Sequence, residues 1–272
     1  MAEGSGTAVE EAHGELSLAR VALAEDDLHH TASHLAGALA HAPGLPEAHE
    51  LLASLATRAG GGVLELFPIE EPTFIGTVVA HAHLLSRTAP ARALAMLARA
   101  TAAVPGKAWA DVSWVRALDP AVLEPQTLAQ VFTTVMRPLG DPAPEPVRLA
   151  NEVYLDLAHR AVAAHPEDPM VLATAAGVGR RLGATGPAVT WGERAVERDK
   201  SKLTLVWYAY ALRADGRGED AIGVLREAYR RFPDELDLCA DLASWLAEQG
   251  RVTEATVLLE QAVQRDPSYD CV

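Results

Sequence analysis

The sequence predicts an all-α protein whose antiparallel helix pairs stack into an α-solenoid, and three observations carry this prediction. First, the C-terminal part repeats at a fixed distance of 34 residues, so that Gly216 recurs as Gly250 and Pro233 as Pro267. Second, hydrophobic residues make up 49% of the chain and aromatic residues only 5%. This apolar content is largely Ala, Leu and Val, which suits closely packed helices. Third, each copy has a glycine and a proline at the positions where helices are expected to end.

The two clearest copies lie within residues 202–267. In each copy an apolar helical run ends at a glycine, and a second run carrying the pattern A-x-x-x-L-x-x-A leads to the proline. The glycine supplies a left-handed cap for the first helix, while small residues let the two helices approach closely. Because one pair cannot cover its own apolar face, neighbouring pairs must stack.

The order of residues within each copy resembles the tetratricopeptide (TPR) repeat. The first copy matches at Leu205, Tyr208, Ala209, Leu212, Gly216, Ala221, Leu225, Ala228 and Pro233. The second copy matches at Cys239, Leu242, Ala243, Leu246, Gly250, Ala255, Leu259, Ala262 and Pro267. The resemblance implies a right-handed superhelix in which the first helix of each pair lines a concave face.

The N-terminal part shows the same pattern in degenerate form. Residues 1–7 are predicted to be disordered, and residues 8–167 to form a degenerate TPR-like helical region. Clusters of glycine and proline predict loop insertions in this region. The insertions span residues 60–72, 105–126 and 137–146. Helical patterns cover residues 9–26, 28–42, 46–58, 73–88, 90–104, 127–136 and 147–164.

Regular repeats are predicted over residues 168–272. Gly183 precedes Gly216 by 33 residues, which adds a third copy before the two clear ones. The predicted repeats cover about residues 169–201, 202–235 and 236–269.

Composition excludes several classes of function. The formal net charge is −14, and such an acidic surface disfavours general nucleic-acid binding. Cys239 is predicted to be a buried thiol, and Cys271 lies in a tail, so the two cysteines form no disulfide framework. No apolar run is long enough to span a membrane, and the polar start predicts a cytoplasmic protein. Abundant alanine, only three lysines and a single asparagine favour a GC-rich, actinobacterial-like bacterial genome.

The predicted binding surface is the concave groove. By resemblance to TPR arrays, a protein or peptide segment would contact Met170, Ala173, Gly177, Arg180, Arg181, Leu203, Val206, Tyr210, Arg213, Asp237, Ala240, Ser244 and Glu248. Arginines beside an aromatic ring suit acidic and apolar side chains. They are equally typical of the last turn of a helix, where the dipole favours them. The Lys and Asn residues by which some TPR proteins hold a chaperone's C-terminal carboxylate are not found at the equivalent positions.

Metal, cofactor and catalytic sites are not predicted. The pair His30 and His34, with His41 beyond it, and the pair His81 and His83 have spacings that metal ligands use. No cysteine or H-E-x-x-H motif joins them, so solvated or capping histidines are the favoured interpretation. No nucleophile motif, phosphate loop or dinucleotide fingerprint is present, and no enzyme is predicted.

Two further functions stay open beside a non-catalytic interaction scaffold. A regulatory module would hold a small molecule where the irregular region, with Trp109 and Trp114, meets the solenoid. A self-assembling protein would form a homodimer or bind a further chain through its C-terminal end, since only SYDCV follows Pro267. That end predicts an uncovered apolar face. The side chains expected on it are Trp245, Leu246, Val257 and Leu258.

Overall fold

The computed structural model describes residues 3–69 and 72–265. Within these ranges the chain is helical and contains no strand, which confirms the all-α class. The chain divides into two compact units, Met1–Arg160 and Ala161–Val272. None of the helices in the described ranges is long and apolar enough to cross a membrane.

The first unit consists of helices of unequal length. They are α1 (Glu3–Ala24), α2 (Leu28–His41), α3 (Pro46–Ala59), α4 (Ile75–Leu85), α5 (Pro90–Ala103), α6 (Ser113–Ala117), α7 (Pro125–Met136), α8 (Glu145–Ala150) and α9 (Glu152–Ala164). Helix α9 continues past the boundary between the units. Two 3-10 helices, Gly60–Leu66 and Pro120–Val122, lie in segments that the sequence predicted as loops.

Two predicted features of this unit differ from the structure. Disorder was predicted over residues 1–7, whereas α1 begins at Glu3 and residues 1 and 2 lie outside the described ranges. A single helix was predicted over 147–164, whereas the chain breaks at Asn151. The buried Asn151 amide donates to the carbonyls of Pro105 and Val147, both at 2.7 Å, and these bonds fix the break between α8 and α9.

Helix α4 lies at the centre of the packing in the first unit, against α2, α3 and α5. Gly76 is a point of close contact with α2. A Cβ atom placed on Gly76 would lie 1.9 Å from the carbonyl oxygen of Ala36, so only glycine fits this crossing without movement of a backbone. The contact sets the distance between the two helices.

The second unit contains three antiparallel helix pairs that form the solenoid. They are α10 (Pro169–Arg181) with α11 (Thr185–Arg198), α12 (Lys202–Ala214) with α13 (Gly218–Arg231), and α14 (Leu236–Glu248) with α15 (Val252–Arg265). The turn within each pair has a glycine with positive φ: Gly183 (88°), Gly216 (80°) and Gly250 (76°). Residues that carry a side chain rarely adopt a positive φ, which explains why glycine recurs once per repeat.

Small residues hold the helices of the second unit close together. Gly192 of α11 faces Tyr208 of α12, and a Cβ atom on Gly192 would lie 3.0 Å from the tyrosine ring. Cys239 is buried, as the sequence predicted, while Pro267 and Cys271 lie outside the described residues. The alanines at the repeat positions are also buried: Ala188, Ala195, Ala209, Ala221, Ala228, Ala243, Ala255 and Ala262.

Candidate functional site

The predicted groove residues all lie on the first helices of the three pairs, α10, α12 and α14. Ala173, Gly177 and Arg180 are buried, so neighbouring helices cover them. The others reach the surface to different degrees. Arg181, Leu203, Val206, Tyr210 and Ala240 are half-buried, whereas Met170, Arg213, Asp237, Ser244 and Glu248 are exposed.

A continuous row of charged and aromatic side chains joins the three first helices. We call it the first-helix row and define it by Arg180, Tyr210, Arg213, Asp241, Trp245 and Glu248. The Arg180 guanidinium lies 5.0 Å from the centre of the Tyr210 ring. That ring meets Trp245 edge-on at 4.9 Å, and the Arg213 guanidinium lies 4.9 Å from the centre of Trp245. Cations and ring edges attract aromatic faces in this geometry, so the stack ties α10, α12 and α14 together.

Polar contacts complete the row. The Tyr210 hydroxyl donates to Asp241 Oδ2 at 2.8 Å, and Arg213 donates to Glu248 Oε2 at 2.6 Å. Burial raises the pKa of Tyr210 to about 12 and also raises the pKa of Asp241. Burial lowers the pKa of Arg180, which is only 5% exposed, to about 10. At neutral pH Tyr210 therefore keeps its proton and Arg180 its charge.

The edge of the row is accessible to a partner. Arg213 and Glu248 are both exposed, and Lys202 forms a second exposed group of ion pairs, at 2.5 Å with Glu235 and 2.9 Å with Asp237. Exposed ion pairs contribute little to stability because water solvates both charges. Charged groups of a partner can therefore compete for them at small cost.

Asp241 and Trp245 were missing from the predicted groove. Trp245 was expected on an uncovered apolar face with Leu246, but it is 4% exposed and lies in the first-helix row, and Leu246 is also buried. The expectation was wrong for Trp245 and Leu246, because Trp245 packs against Tyr210 of α12. Of the other two residues expected on this face, Val257 is 47% exposed and Leu258 is half-buried. The sequence did contain a signal, since Tyr210 and Asp241 are 31 residues apart, close to one repeat.

The outer side of α15 carries the apolar residues that the structure leaves open. Val252 is 60% and Val263 44% exposed, and Leu259 between them is half-buried. At 100° per residue these three positions fall on one side of the helix. Leu225, the equivalent of Leu259 one repeat earlier, is fully buried on α13, against which α14 packs. No described helix packs against this side of α15 in the way that α14 packs against α13.

Both tryptophans of the irregular region lie inside the first unit. Trp109 is buried and donates from Nε1 to the carbonyl of Val104 at 2.9 Å. Trp114 donates from Nε1 to Nδ1 of the buried His83 at 3.0 Å. Each indole N–H thus has an internal acceptor.

The buried His83 lies beside the half-buried His49. Its ring centre lies 4.0 Å from that of His49, which donates from Nε2 to the Pro43 carbonyl at 2.8 Å. Burial, together with the neighbouring His49, lowers the pKa of His83 to about 3. Burial also lowers the pKa of His49. The cluster is therefore uncharged at neutral pH.

The remaining histidines singled out by their spacing make separate contacts. His30 pairs with Asp27 at 2.6 Å, His34 with Glu15 at 2.7 Å and His41 with Glu11 at 2.9 Å. His81 donates from Nε2 to the Phe67 carbonyl at 2.7 Å. In residues 3–69 and 72–265, no group of three or more His, Cys, Asp or Glu side chains is placed to hold a metal ion.

Comparisons with known proteins address the repeats. The family model described as "Tetratricopeptide repeat" matches residues 212–270, which include α13, α14 and α15. Among solved structures, a thermophilic TPR protein of Thermus thermophilus is 18% identical, with a TM-score of 0.40. The similarity covers 87% of this chain and 99% of that one. No curated protein matches the chain.

The family match includes the glycine turns at Gly216 and Gly250, and it includes Arg213, Asp241, Trp245 and Glu248 of the first-helix row. Arrays of such repeats generally act as non-catalytic modules that bind protein partners on an extended surface. The chain therefore contains tetratricopeptide repeats within residues 212–270.

Proposed function

We propose that the chain is a non-catalytic scaffold that binds a segment of a partner protein along the first-helix row. The observation that carries this proposal is the row itself. Three successive first helices present an aromatic ring, Tyr210, beside exposed ion pairs of both signs. Aromatic and arginine side chains are enriched where proteins bind each other. The proposal needs no cofactor.

The partner segment is expected to carry both acidic and basic side chains. A carboxylate would displace Glu248 from Arg213, and an ammonium group would take the place of Lys202 beside Asp237. An apolar residue between them would cover the half-buried Tyr210. The outward members of the predicted groove, Met170 and Ser244, lie on the same three helices.

Reversing the charge of Arg213 should weaken partner binding, and exchanging the charges of Arg213 and Glu248 should not restore it. Arg213→Glu removes the attraction for a partner carboxylate, and it also breaks the contact with Glu248. The double variant Arg213→Glu/Glu248→Arg restores the internal pair with its charges exchanged. We expect each variant to lose roughly tenfold or more in affinity for a partner captured by the wild-type chain. Capture from source cytosol with mass spectrometry, followed by titration of the captured protein, measures this.

The matched control is Arg226→Glu. Arg226 pairs with Glu254 between second helices, so this variant has an equivalent charge change away from the row. It should bind like the wild-type chain. If the double variant recovers full affinity, the Arg213–Glu248 pair is only structural, and equal binding by all four chains would remove the row as a binding site.

A second candidate function is self-association through α15. The exposed stripe of Val252, Leu259 and Val263 favours it, because the same face of α13 is buried by α14. Sedimentation velocity over a wide range of protein concentrations should show a dimer that Val263→Asp abolishes. A chain that stays monomeric at every concentration would rule out this candidate.

A further inference from the structure

A groove of about 480 Å³ opens in the second unit between the second helices α11 and α13, and residues of α12 lie at its base. We call it the second-helix groove and define it by six of its lining residues, Val196, Leu205, Tyr208, Leu212, Asp220 and Val224. None of these residues belongs to the first-helix row. The groove is therefore a surface separate from the site proposed above.

The second-helix groove is apolar at its base and along part of both sides. Leu205 and Leu212 of α12 are buried, whereas Val196 of α11 and Val224 of α13 are half-buried. Tyr208 is also half-buried and presents an aromatic ring among these aliphatic side chains. An apolar segment of a partner could therefore cover exposed hydrophobic surface here.

The next groove along the solenoid, between α13 and α15, is bridged by ion pairs. Arg226 of α13 pairs with Glu254 of α15, and Glu219 of α13 pairs with Arg251 at 3.2 Å. Among the residues that the structure describes, no ion pair joins α11 to α13. The second-helix groove thus lacks the bridges that cross its neighbour.

The repeat register explains why these bridges are missing. Helices α11, α13 and α15 begin at residues 185, 218 and 252, so equivalent positions are 33 and then 34 residues apart. Glu193 is therefore the equivalent of Arg226 one repeat earlier. By the same register, Asp220 is the equivalent of Glu254. Where the next groove has an arginine facing a glutamate, the second-helix groove has two carboxylates, which repel each other.

The charges beside Tyr208 favour a cation. Glu193 and Glu197 are exposed, one helical turn apart, on the side of α11 that carries Val196, and neither has an ion-pair partner in the described ranges. Burial raises the pKa of Tyr208, and the charges of Glu193, Asp220 and Glu197 raise it further. Asp220 pairs with Arg217 at 2.8 Å, but this contact is exposed and contributes little to stability.

We propose that the second-helix groove binds an arginine side chain of a partner protein, flanked by apolar residues. The guanidinium would lie between Glu193 and Asp220, as the Arg226 guanidinium lies beside Glu254 in the next groove. The Tyr208 ring suits a planar cation, and the apolar neighbours of the arginine would cover Val196 and Val224. The proposal is independent of binding along the first-helix row.

An acetylated and amidated Leu-Arg-Leu tripeptide is the probe that tests the groove. It is titrated into the isotope-labelled full chain and followed by the amide chemical shifts in nuclear magnetic resonance spectra. We expect saturable shifts at Gly192, Tyr208 and Gly223, which lie in or beside the groove. The matched Leu-Gln-Leu tripeptide has no charge and should bind at least roughly tenfold more weakly.

Glu193→Arg gives the groove the arginine that the next repeat has at this position. The new side chain would pair with Asp220 and repel the arginine of the probe, so probe affinity should fall roughly tenfold or more. The melting temperature should not fall, because the change is at an exposed position and adds an ion pair. Glu260→Arg on the exposed side of α15 makes the same charge change and should bind the probe like the wild-type chain.

Four results would each overturn the proposal. They are the absence of saturable shifts, equal binding of the Leu-Gln-Leu tripeptide, unchanged probe affinity in Glu193→Arg, and shifts confined to Arg213 and Glu248. The last result would place the probe on the first-helix row, so it would support the proposed function while removing the second-helix groove as an arginine site.

Discussion

Acidification from pH 7 to pH 5 is expected to remove about 2 kcal/mol of the unfolding free energy of the first unit through His83 alone. Burial holds the pKa of His83 near 3 in the folded chain, against an ordinary value of 6.5. Below pH 6.5 the His83 imidazole is therefore protonated in the unfolded state and remains unprotonated in the folded state. The stability contribution is complete above that pH and is lost progressively as the pH falls towards 3. The pKa of His49 is also lowered by burial, so His49 reduces the unfolding free energy further as the pH falls.

The geometry explains why the folded state cannot accept the proton. Trp114 donates its indole N–H to His83 Nδ1, which must be unprotonated to accept it. If His83 were protonated at Nδ1, its N–H and the Trp114 N–H would face each other as two donors without an acceptor. Protonation would also place a cation whose ring centre lies 4.0 Å from that of His49. Hydrogen exchange of α3 and α4 peptides as a function of urea at each pH follows this unit separately. His83→Gln should flatten the pH dependence, and the exposed His13→Gln should leave it unchanged. A steep dependence that persists in His83→Gln would contradict this account.

Replacing Gly76 with alanine is expected to cost about 3 kcal/mol or more of unfolding free energy. The new methyl group would meet the Ala36 carbonyl carbon at 2.7 Å and its oxygen at 1.9 Å. These are backbone atoms in the middle of α2, so they cannot move away by rotation about a side-chain bond. The helices must separate, and the packing of α4 on α2 is lost. Urea unfolding with the same exchange readout measures the cost.

Gly14→Ala is the control for the helix propensity of alanine. Gly14 lies within α1, and a Cβ atom placed there has no neighbour within 4 Å. This substitution should leave stability unchanged or raise it by about 0.5–1 kcal/mol. If Gly76→Ala unfolds like the wild-type chain, the close crossing of α2 and α4 does not control the stability of the unit.

The regular half of the fold was predictable because its signals are local. Each turn in the second unit requires a residue with positive φ, so Gly183, Gly216 and Gly250 mark the turns directly in the sequence. The buried alanines follow the same period for a related reason, since close helix packing excludes larger side chains. The solenoid of paired helices could therefore be inferred without knowledge of distant contacts.

The first-helix row was predictable only in part. Four of its residues were among the predicted groove residues, namely Arg180, Tyr210, Arg213 and Glu248, whereas Asp241 and Trp245 were not. The role of a residue in the row depends on which residues meet across a repeat boundary. The ion pairs Arg213–Glu248 and Lys202–Asp237 both join residues 35 positions apart, so matching opposite charges at about one repeat length would have identified these two pairs. It would not have identified Asp241 or Trp245, which contact aromatic side chains.

The features of the first unit could not be inferred from spacing. The contact of Gly76 with Ala36 and that of His83 with Trp114 join residues at unrelated separations. Asn151 breaks a helix because its amide reaches the Pro105 carbonyl, 46 residues away. In such a region the tertiary environment overrides the local pattern, and the sequence shows only that helices are present.

The first-helix row has a consequence for how the second unit transmits a disturbance. Every contact in the row joins a helix pair to its immediate neighbour: Arg180 to Tyr210, and Tyr210 to Asp241. Such a unit has the energetics of a one-dimensional lattice with nearest-neighbour coupling. The opening of one pair changes the opening free energy of the adjacent pair directly, and it reaches the next pair only through that neighbour. Its influence should therefore decay with each repeat that it crosses.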